Sequence, residues 1–444
     1  MRITPIIQRV AWQRELVHYP AAPARVWYLV VTLAIAVTLY SHVFVAVSAL
    51  PLLQRELGFT LQHFGLFFML VFLVSAISSL FGSLSDRLGR ANLVVYGSIL
   101  SGLLTLGIAL TGTTSSFFIA GWILTFVEGV LQITLLALVR DFSPRMSRAF
   151  ALGFYSIGPW GGQILAASVA RLTLPIYGTW QSQYVISSAL SLLVALIAFL
   201  GLRELGPGLR GQVVMTADAA AGLEERAAHF DAAAATRHPW RQMLRASILL
   251  SSLGYGFYFV PRYTFNLFLP TYLNGALALS LVQANSIASF FGLAFIGGSL
   301  VVGFCSDRLQ VRKPFMLIGT VAVALTLVFF MGLTPDTALG VLTLTLICLS
   351  FCLAMGNVSW LAAFTETAEA INPALIGTAL AIQGAILRLS SIGTAATQVL
   401  VVGNGQGWAT WWWVCIACLV VYLPSMLVLA GGWSPTRART ALAS

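Results

Sequence analysis

The chain alternates long apolar runs with short polar gaps. An α-helix needs roughly 20 apolar residues to cross the hydrocarbon core of a bilayer, and twelve runs approach or exceed that length. Each run therefore predicts a membrane-spanning helix, over residues 26–50, 62–84, 92–112, 115–139, 150–171, 183–203, 246–272, 284–304, 314–332, 337–363, 376–401 and 410–430. The predicted fold class is an all-α membrane protein with twelve transmembrane helices.

One connection is much longer than the others. Within it, the stretch from Ala219 to Ala235 is rich in alanine, the best helix former, and predicts a short surface helix. The residues before the first apolar run are basic, with isoleucines at helical spacing, and predict either a helix lying on the membrane surface or an unstructured tail. The predicted organisation is an N-terminal segment, two six-helix bundles joined by a linker, and a tail: 1–25, 26–203, 204–245, 246–430 and 431–444.

A short polar motif occurs twice. The first copy reads Gly82-Ser83-Leu84-Ser85-Asp86-Arg87-Leu88-Gly89-Arg90. A degraded copy begins 221 residues later, at Gly303, and keeps Asp307-Arg308 at the same distance from its glycine. A duplication that spans half the chain predicts two pseudo-symmetric bundles.

The first copy matches the G-x-x-x-D-R-x-G-R loop of the major facilitator superfamily, which the chain resembles over all twelve predicted helices. The resemblance implies a transporter whose two bundles rock about a midplane site. In that family the motif aspartate lies at the N-terminal end of helix eleven, where its charge meets the positive end of the helix dipole. The residues that inherit a gating role by position are Asp86, Arg87, Arg90, Asp307 and Arg308. The alternative is a plain turn carrying positive charge.

Composition agrees with a membrane protein and indicates its orientation. Only 9% of residues are charged and 59% are hydrophobic, with a mean hydropathy of +0.90, whereas soluble domains carry about 25% charged residues. The 24 Lys and Arg exceed the 14 Asp and Glu, and they concentrate in the loops on one side. The positive-inside rule makes that side cytoplasmic, with both termini there, in a bacterial cytoplasmic membrane. We expect no nucleic acid partner and a monomer.

The tryptophans near the last helix and the cysteines have simple interpretations. Trp408, Trp411, Trp412 and Trp413 predict an aromatic anchor at the outer membrane interface. The five cysteines are scattered through apolar sequence and predict no metal site or disulfide framework. No nucleophile–base pair, phosphate-binding loop or zinc-protease motif is present. We therefore predict neither an enzyme nor a cofactor, and transport driven by a gradient.

Four ionisable residues fall near the middle of predicted helices: His42, Glu128, Arg262 and Arg388. Such groups are costly in a bilayer and are functional candidates by default. Two guanidiniums that cannot deprotonate require anions, and Glu128 can supply only one. The other charge predicts a substrate carboxylate or phosphate, unless one arginine pairs permanently with Glu128 and the other caps backbone carbonyls.

The sequence of helix seven and the position of Arg388 indicate which class of anion is the substrate. Pro261-Arg262-Tyr263 followed by Pro270-Thr271-Tyr272-Leu273 resembles helix seven of the sugar-phosphate and glycerol-phosphate antiporters, in which the arginine binds phosphate. Those antiporters have a second arginine on helix one, where this chain has His42. A cation on helix eleven, such as Arg388, is instead similar to the oxalate/formate exchangers, so small carboxylates are favoured over phosphate esters.

Polar and aromatic neighbours of these residues could complete a pocket, although each alone is equally explained by a hydrogen bond between helices. They are Tyr40, Gln132, Tyr155, Trp160, Gln163, Tyr258, Tyr263, Asn266, Asn357, Trp360 and Gln383. For coupling to protons, Glu128 or His42 is the candidate, and exchange against a counter-anion is the alternative.

Two other functions stay open. Gly158-Pro159-Trp160-Gly161-Gly162 resembles the Gly-Pro motif of drug/proton antiporters, which makes a multidrug antiporter the runner-up. The third possibility is a transporter-like ligand sensor.

Overall fold

The computed structural model describes residues 14–58, 61–143, 148–206, 209, 237–279, 281–402 and 407–434. Within these residues, twelve successive long helices can be labelled α1 to α12, of which α5 consists of two segments separated at Ser156. Their bounds are Ala22–Ser48, Leu61–Leu80, Arg90–Ala109, Thr114–Phe142, Arg148–Tyr155 with Ile157–Tyr177, Trp180–Gly201, Ala246–Gly275, Leu281–Leu309, Lys313–Met331, Leu339–Ile371, Ile376–Val402 and Trp408–Tyr422.

Short elements connect or extend these helices. Three are α-helical, over Leu50–Leu57, Ser85–Leu88 and Pro239–Met243. Three are 3₁₀-helical, over Phe81–Leu84, Pro373–Leu375 and Leu423–Val428. Strand β1 (Glu15–Leu16) pairs in parallel with strand β2 (Glu204–Leu205).

The predicted all-α membrane fold is confirmed. Nine helices in the described part of the chain are long and apolar enough to cross a bilayer, and the remaining three of the twelve are α2, α5 and α7. Helix α5 is interrupted and glycine-rich, and α7 contains Pro261 and Pro270.

The two largest errors in the predicted helix ends are eight residues each: α12 ends at Tyr422 instead of 430, and α10 continues to Ile371 instead of ending at 363. Its extra residues include two glutamates that are buried against arginines, so the end of the apolar run is not the end of the helix.

The N-terminal segment differs from both predicted alternatives where it is described. Arg14 is buried, its Nη1 donating to the carbonyl oxygens of Phe199 at 2.7 Å and Leu202 at 3.2 Å. Strand β1 follows, and α1 already begins at Ala22. The predicted surface helix around Ala219 to Ala235 and residues 1–13 lie outside the described residues.

By proximity, the chain groups into two compact units that differ from a simple division into halves. The described residues of Met1–Pro144, Tyr155–Leu249 and Ala368–Ile392 form unit 1. Those of Arg145–Phe154, Leu250–Thr367 and Gly393–Ser444 form unit 2. The division into bundles 26–203 and 246–430 remains a prediction from the sequence repeat.

Unit 1 is built on close helix pairs, chiefly α1 with α5, α3 with α6, α3 with α4, and α2 with α4. Glycines make the first pair possible. A Cβ atom added at Gly162 would lie 2.6 Å from Tyr40 Cβ and 2.7 Å from the Ser41 backbone nitrogen, and one at Gly158 would lie 2.9 Å from Ala36 Cβ. Small residues spaced by four let two backbones approach closely in a membrane. The Gly-Pro motif therefore has a packing role against α1.

Unit 2 contains a similar close contact and an aromatic core. A Cβ atom added at Gly303 of α8 would lie 2.7 Å from the carbonyl oxygen of Ala149 in α5. Trp411 donates to Thr264 Oγ1 at 3.1 Å, and Trp412 stacks on Phe265 with ring centroids 5.0 Å apart. Both indoles are buried, so the predicted interfacial anchor is wrong for these two residues.

We expect Gly162→Ala to destabilise the protein by about 1–3 kcal/mol, the usual cost of forcing extra volume into a packed core. The new methyl group would overlap backbone and Cβ atoms of α1, which cannot rotate away. Gly297→Ala is the matched control, since a Cβ atom there meets nothing within 4 Å and alanine is the better helix former. Thermal unfolding of the purified variants measures the difference, and equal midpoints would contradict the packing role.

Candidate functional site

Two of the predicted residues form a buried acid–base pair in unit 1. His42 Nδ1 of α1 lies 2.5 Å from Glu128 Oε1 of α4, and both residues are buried. Ser101 of α3 donates to the same carboxylate oxygen at 2.9 Å, and Thr105 Oγ1 lies 3.3 Å from His42 Nδ1. The permanent pairing of Glu128 with an arginine, considered from the sequence, is not found among the described residues, because the partner of Glu128 is His42.

The pair lies at a cavity within unit 1. The two residues line it together with apolar side chains of α1, α2, α3, α4 and α6, among them Phe67, Val71, Ile108, Phe117 and Leu124. His42 Nε2 is buried without a hydrogen-bond partner among the described residues. The imidazole of His42 therefore lines the cavity with one nitrogen, Nε2, that has no hydrogen-bond partner among the described residues.

Arg388 of α11 forms a second cluster in unit 1, made only of neutral groups. Its Nε donates to Ser75 Oγ at 2.5 Å, its Nη2 to Gln132 Oε1 at 2.7 Å and its Nη1 to the carbonyl oxygen of Gly384 at 3.2 Å. The phenols of Tyr40 and Tyr155 are near enough to interact electrostatically with the guanidinium. The structure thus brings together Arg388, Gln132, Tyr40 and Tyr155.

Arg262 of α7 is the centre of a cluster in unit 2. Its Nη1 donates to Asn357 Oδ1 at 2.6 Å and to the Tyr255 hydroxyl at 3.2 Å, and that hydroxyl also donates to Asn357. The guanidinium lies over the rings of Phe259 and Phe295, with its carbon 5.2 and 4.7 Å from the centroids. Its Nε is buried without a partner in the described part of the chain.

Neither arginine has a negatively charged partner in the described residues, within the 4 Å that defines an ion pair. By contrast, five arginine–carboxylate contacts are described for other arginines, namely Arg90, Arg140 and Arg312. Arg14 is also buried without a described carboxylate partner, but it lies before the first long helix, whereas Arg262 and Arg388 lie within α7 and α11.

The remaining predicted pocket residues have varied environments. Trp360 stacks on Tyr255 with centroids 3.8 Å apart and an interplanar angle of 13°, which joins it to the Arg262 cluster. Asn266, one helical turn after Arg262, has a buried Oδ1 with no hydrogen bond to described residues. Tyr258 is buried, donates to the carbonyl oxygen of Leu353 at 2.7 Å and is near enough to Arg262 to interact with it electrostatically. The others are enclosed by helix packing or partly exposed, without a described contact to either arginine: Tyr263, Trp160, Gln163 and Gln383.

The first motif copy contributes a buried ion pair. Arg90 Nη1 binds Asp141 Oδ1 at 2.6 Å, and its backbone N–H donates to Glu204 Oε2 at 2.6 Å. Glu204 thus caps the N-terminus of α3, a favourable position for a carboxylate. The side chains of Asp86 and Arg87 lie outside the described residues, so their gating roles remain predictions.

The second motif copy caps a helix. Asp307 accepts the backbone N–H groups of Ala149 and Phe150 at 3.1 and 2.8 Å, at the start of α5, and binds Arg312 Nη2 at 2.8 Å. This is the type of contact that the family resemblance implies for Asp86 at helix eleven. Arg308 is exposed.

The sequence reasoning missed the carboxylates that complete these networks. Asp141 binds Arg90 and Arg140, Arg140 also binds Glu369, and Glu366 lies 3.0 Å from Arg312. A usable signal was present, since Asp141 and Glu366 lie 225 residues apart, close to the offset of the motif repeat. Ser75, Ser101 and Thr105 gave no such signal, because polar residues are common in helices that pack in membranes.

Twelve long helices, nine of which are long and apolar enough to cross a bilayer in the described part of the chain, define a multi-pass membrane protein. The sequence model of the Major Facilitator Superfamily matches residues 31–395. The chain therefore belongs to this superfamily, and it is a transporter and not an enzyme.

Similar proteins of known description include three transporters. The chain is 24% identical over 330 residues to a probable sulfoacetate transporter, SauU, of Cupriavidus necator, covering 74% of this chain and 69% of that protein. It is 25% identical over 279 residues to a cis,cis-muconate transport protein of Acinetobacter baylyi, with 61% and 63% covered, so it spans less than two thirds of that relative. It is 24% identical over 397 residues to sugar phosphate exchanger 3 of Bos taurus, with 81% and 78% covered.

The solved structures that the chain resembles support the same fold. The proton:xylose symporter XylE bound to 6-bromo-6-deoxy-D-glucose matches with a TM-score of 0.75 and 16% identity, over 91% of this chain and 96% of that one. A double tryptophan mutant of XylE matches with a TM-score of 0.71. At this identity the likeness concerns the fold alone.

We expect Asp307→Asn to lower stability by about 1–2 kcal/mol, because the amide keeps the shape but loses the charge at the α5 N-terminus and beside Arg312. Thermal unfolding of the purified protein measures the loss. Asp336→Asn is the matched control, since Asp336 is exposed in a loop and such changes usually stay within about 0.5 kcal/mol. Equal stability of the two variants would show that the Asp307 charge does not stabilise this contact.

Proposed function

We propose that this protein is a secondary active transporter of a small organic anion, with carboxylates favoured over phosphate esters. It works by alternating access as a monomer in a bacterial cytoplasmic membrane, with both termini in the cytoplasm. The observation that carries the proposal is the environment of Arg262 and Arg388. Each lies within a helix of the membrane domain, and each is held by neutral groups without a described carboxylate in ion-pair distance.

A permanent cation in an apolar environment is costly unless an anion accompanies it. Neutral oxygens of Asn357, Gln132 and Ser75 orient the guanidiniums but leave their charge uncompensated. An anionic substrate would supply the missing charge, and the planar fork of arginine suits carboxylate or phosphate oxygens. The unpartnered Nε of Arg262 is a donor available for such a contact.

The names of the similar proteins support the same substrate class. Sulfoacetate, muconate and sugar phosphates are all anions. The first two carry a carboxylate, which agrees with the presence of Arg388 on α11 and with His42, instead of a second arginine, near the middle of α1. The half-buried Arg262 and Arg388 would repel cationic drugs, and the Gly158–Gly162 contact already explains the motif on which drug antiport rested.

Coupling to protons would depend on the His42–Glu128 pair. The pair is buried and has no described contact with either arginine, so it can gain or lose a proton without directly breaking a substrate contact. A carboxylate and an imidazole at 2.5 Å can share a proton between them. We therefore assign proton coupling to this pair, with exchange against a counter-anion as the alternative outcome of the experiment below.

Arg262→Ala and Arg388→Ala are each expected to reduce anion affinity by at least about 30-fold, since truncating one partner of a buried charge pair costs about 2–5 kcal/mol. Lysine at either position should also lower the anion affinity, because an ammonium cannot donate in the same bidentate geometry. The measurement is counterflow in proteoliposomes with sulfoacetate, muconate and glucose 6-phosphate, and with a cationic drug as the competing class.

Arg241→Ala serves as the control, since Arg241 is exposed in a short helix outside the long helices. Arg262→Ala, Arg388→Ala and the control Arg241→Ala should all unfold at the wild-type temperature, so that a lost affinity is not caused by a lost fold. Wild-type counterflow by both Arg262→Ala and Arg388→Ala would exclude these arginines as anion ligands, and counterflow of the cationic drug alone would replace the proposed substrate class.

Glu128→Gln is expected to separate coupling from transport. The amide keeps the shape of the side chain but cannot bind and release a proton at neutral pH, so counterflow should continue while accumulation against a pH gradient is lost. Both rates are measured in the same proteoliposomes. Wild-type accumulation by Glu128→Gln would exclude Glu128 as the coupling residue and leave anion exchange or His42 alone.

A further inference from the structure

The cavity beside His42 and Glu128 has a defined position along the helices of unit 1. Its lining includes Ile108 in the last turn of α3, Phe117 in the first turn of α4 and Tyr184 in the second turn of α6. Arg90, at the other end of α3, is 18 residues from Ile108, or about 27 Å along the helix axis. The cavity therefore extends from the buried pair toward the membrane face opposite the Gly82–Arg90 motif.

The free nitrogen of His42 gives this cavity a chemical role. An apolar surrounding favours an electrically neutral pair, because an isolated buried charge is costly. Two arrangements are neutral: an imidazolium beside a carboxylate, or a neutral imidazole accepting at Nδ1 from a protonated carboxyl. In both, Nε2 carries a hydrogen and has no acceptor in the described residues. A water molecule in the cavity is a suitable acceptor.

We infer that the aromatic-lined cavity of unit 1 is a proton pathway, through which His42 relays protons between water at that membrane face and Glu128, separately from the anion-binding arginines. The relay starts from the pair that has released its proton, in which a neutral imidazole donates from Nδ1 to the ionised carboxylate and Nε2 carries no hydrogen. A hydronium ion in the cavity protonates His42 Nε2 and becomes water, and the Nδ1 proton then passes to Glu128 Oε1. Release follows the reverse order, so no other co-reactant is needed. This inference rests on the proposed function, since it assigns a route to its coupling proton.

The walls of the cavity determine when protons can pass. Helix α2 contributes only apolar lining, α3 adds the hydroxyls of Ser101 and Thr105 next to the pair, and Tyr184 of α6 is the other titratable side chain in the described lining. The rings of Phe117 and Phe67 lie 5.7 Å apart, and those of Phe117 and Tyr184 lie 5.8 Å apart. Such a hydrophobic constriction excludes water until it widens. The aromatic cluster would therefore restrain proton leak when substrate is absent.

Val71→Thr tests the pathway with the smallest possible change. Threonine matches valine in shape and adds one hydroxyl to the cavity wall, so water should enter more readily. Substrate-free proton entry into proteoliposomes, followed with a trapped pH-sensitive dye under an imposed pH gradient, should rise several-fold. The double variant Val71→Thr/Glu128→Gln should return to the background rate, because the proton acceptor is gone. Val94→Thr, at an equally buried valine of α3 outside the lining, should have no effect.

Gly121→Ala tests the opposite change. A Cβ atom there would lie 2.8 Å from the Phe67 ring and would displace it within the cavity. Proton-driven accumulation should slow several-fold, while counterflow of the organic anion stays near the wild-type rate.

Three results would overturn the inference: unchanged proton entry in Val71→Thr, an increase that persists without Glu128, or an equal increase in Val94→Thr. None of these results affects anion counterflow. Conversely, if no organic anion shows counterflow, the proposed function is wrong. The substrate-free measurement of proton entry would still test the pathway in that case.

Discussion

The cost of placing charge in an apolar surrounding constrains this structure more than any other interaction. A buried ion that loses its partner destabilises a protein by several kcal/mol, so ionisable side chains in spanning helices must be paired or used. Most of the described charges follow this rule through short contacts such as His42 with Glu128 and Arg90 with Asp141. Arg262 and Arg388 depart from it, because their described partners are neutral. That difference makes these two arginines the candidate ligands of an anion.

The same constraint is met twice at corresponding places in the sequence repeat. Arg90 at the start of α3 binds Asp141 at the end of α4, and Arg312 at the start of α9 binds Glu366 near the end of α10. Each pair joins a loop between helices to a helix end, where backbone groups are also unsatisfied. Further carboxylates join both networks to backbone N–H groups, since Glu204 caps α3 beside Arg90, and Asp307 binds Arg312 and caps α5. Duplication therefore preserved an electrostatic arrangement along with the helices.

The helices could be predicted because a bilayer leaves the backbone few choices, and a run of about 20 apolar residues reports that constraint directly. The ionisable candidates could be predicted for the same reason. Their partners could not, since His42 and Glu128 are 86 residues apart and meet only after packing. Trp411 and Trp412 show a related limit, because interface anchors and buried aromatics have the same composition. The continuation of α10 past residue 363 was missed because its last turns are polar in sequence but neutralised by arginines in the fold.

Helix α4 gives these separate clusters a common support. Glu128 and Gln132 are four residues apart, which places them on one face of the helix. Glu128 contacts His42, and Gln132 accepts a hydrogen bond from Arg388. A shift or rotation of α4 that alters one contact must move the other, because both are fixed to the same helical turn. Protonation at Glu128 and occupancy at Arg388 can thus influence each other without direct contact, through the position of a single helix within unit 1.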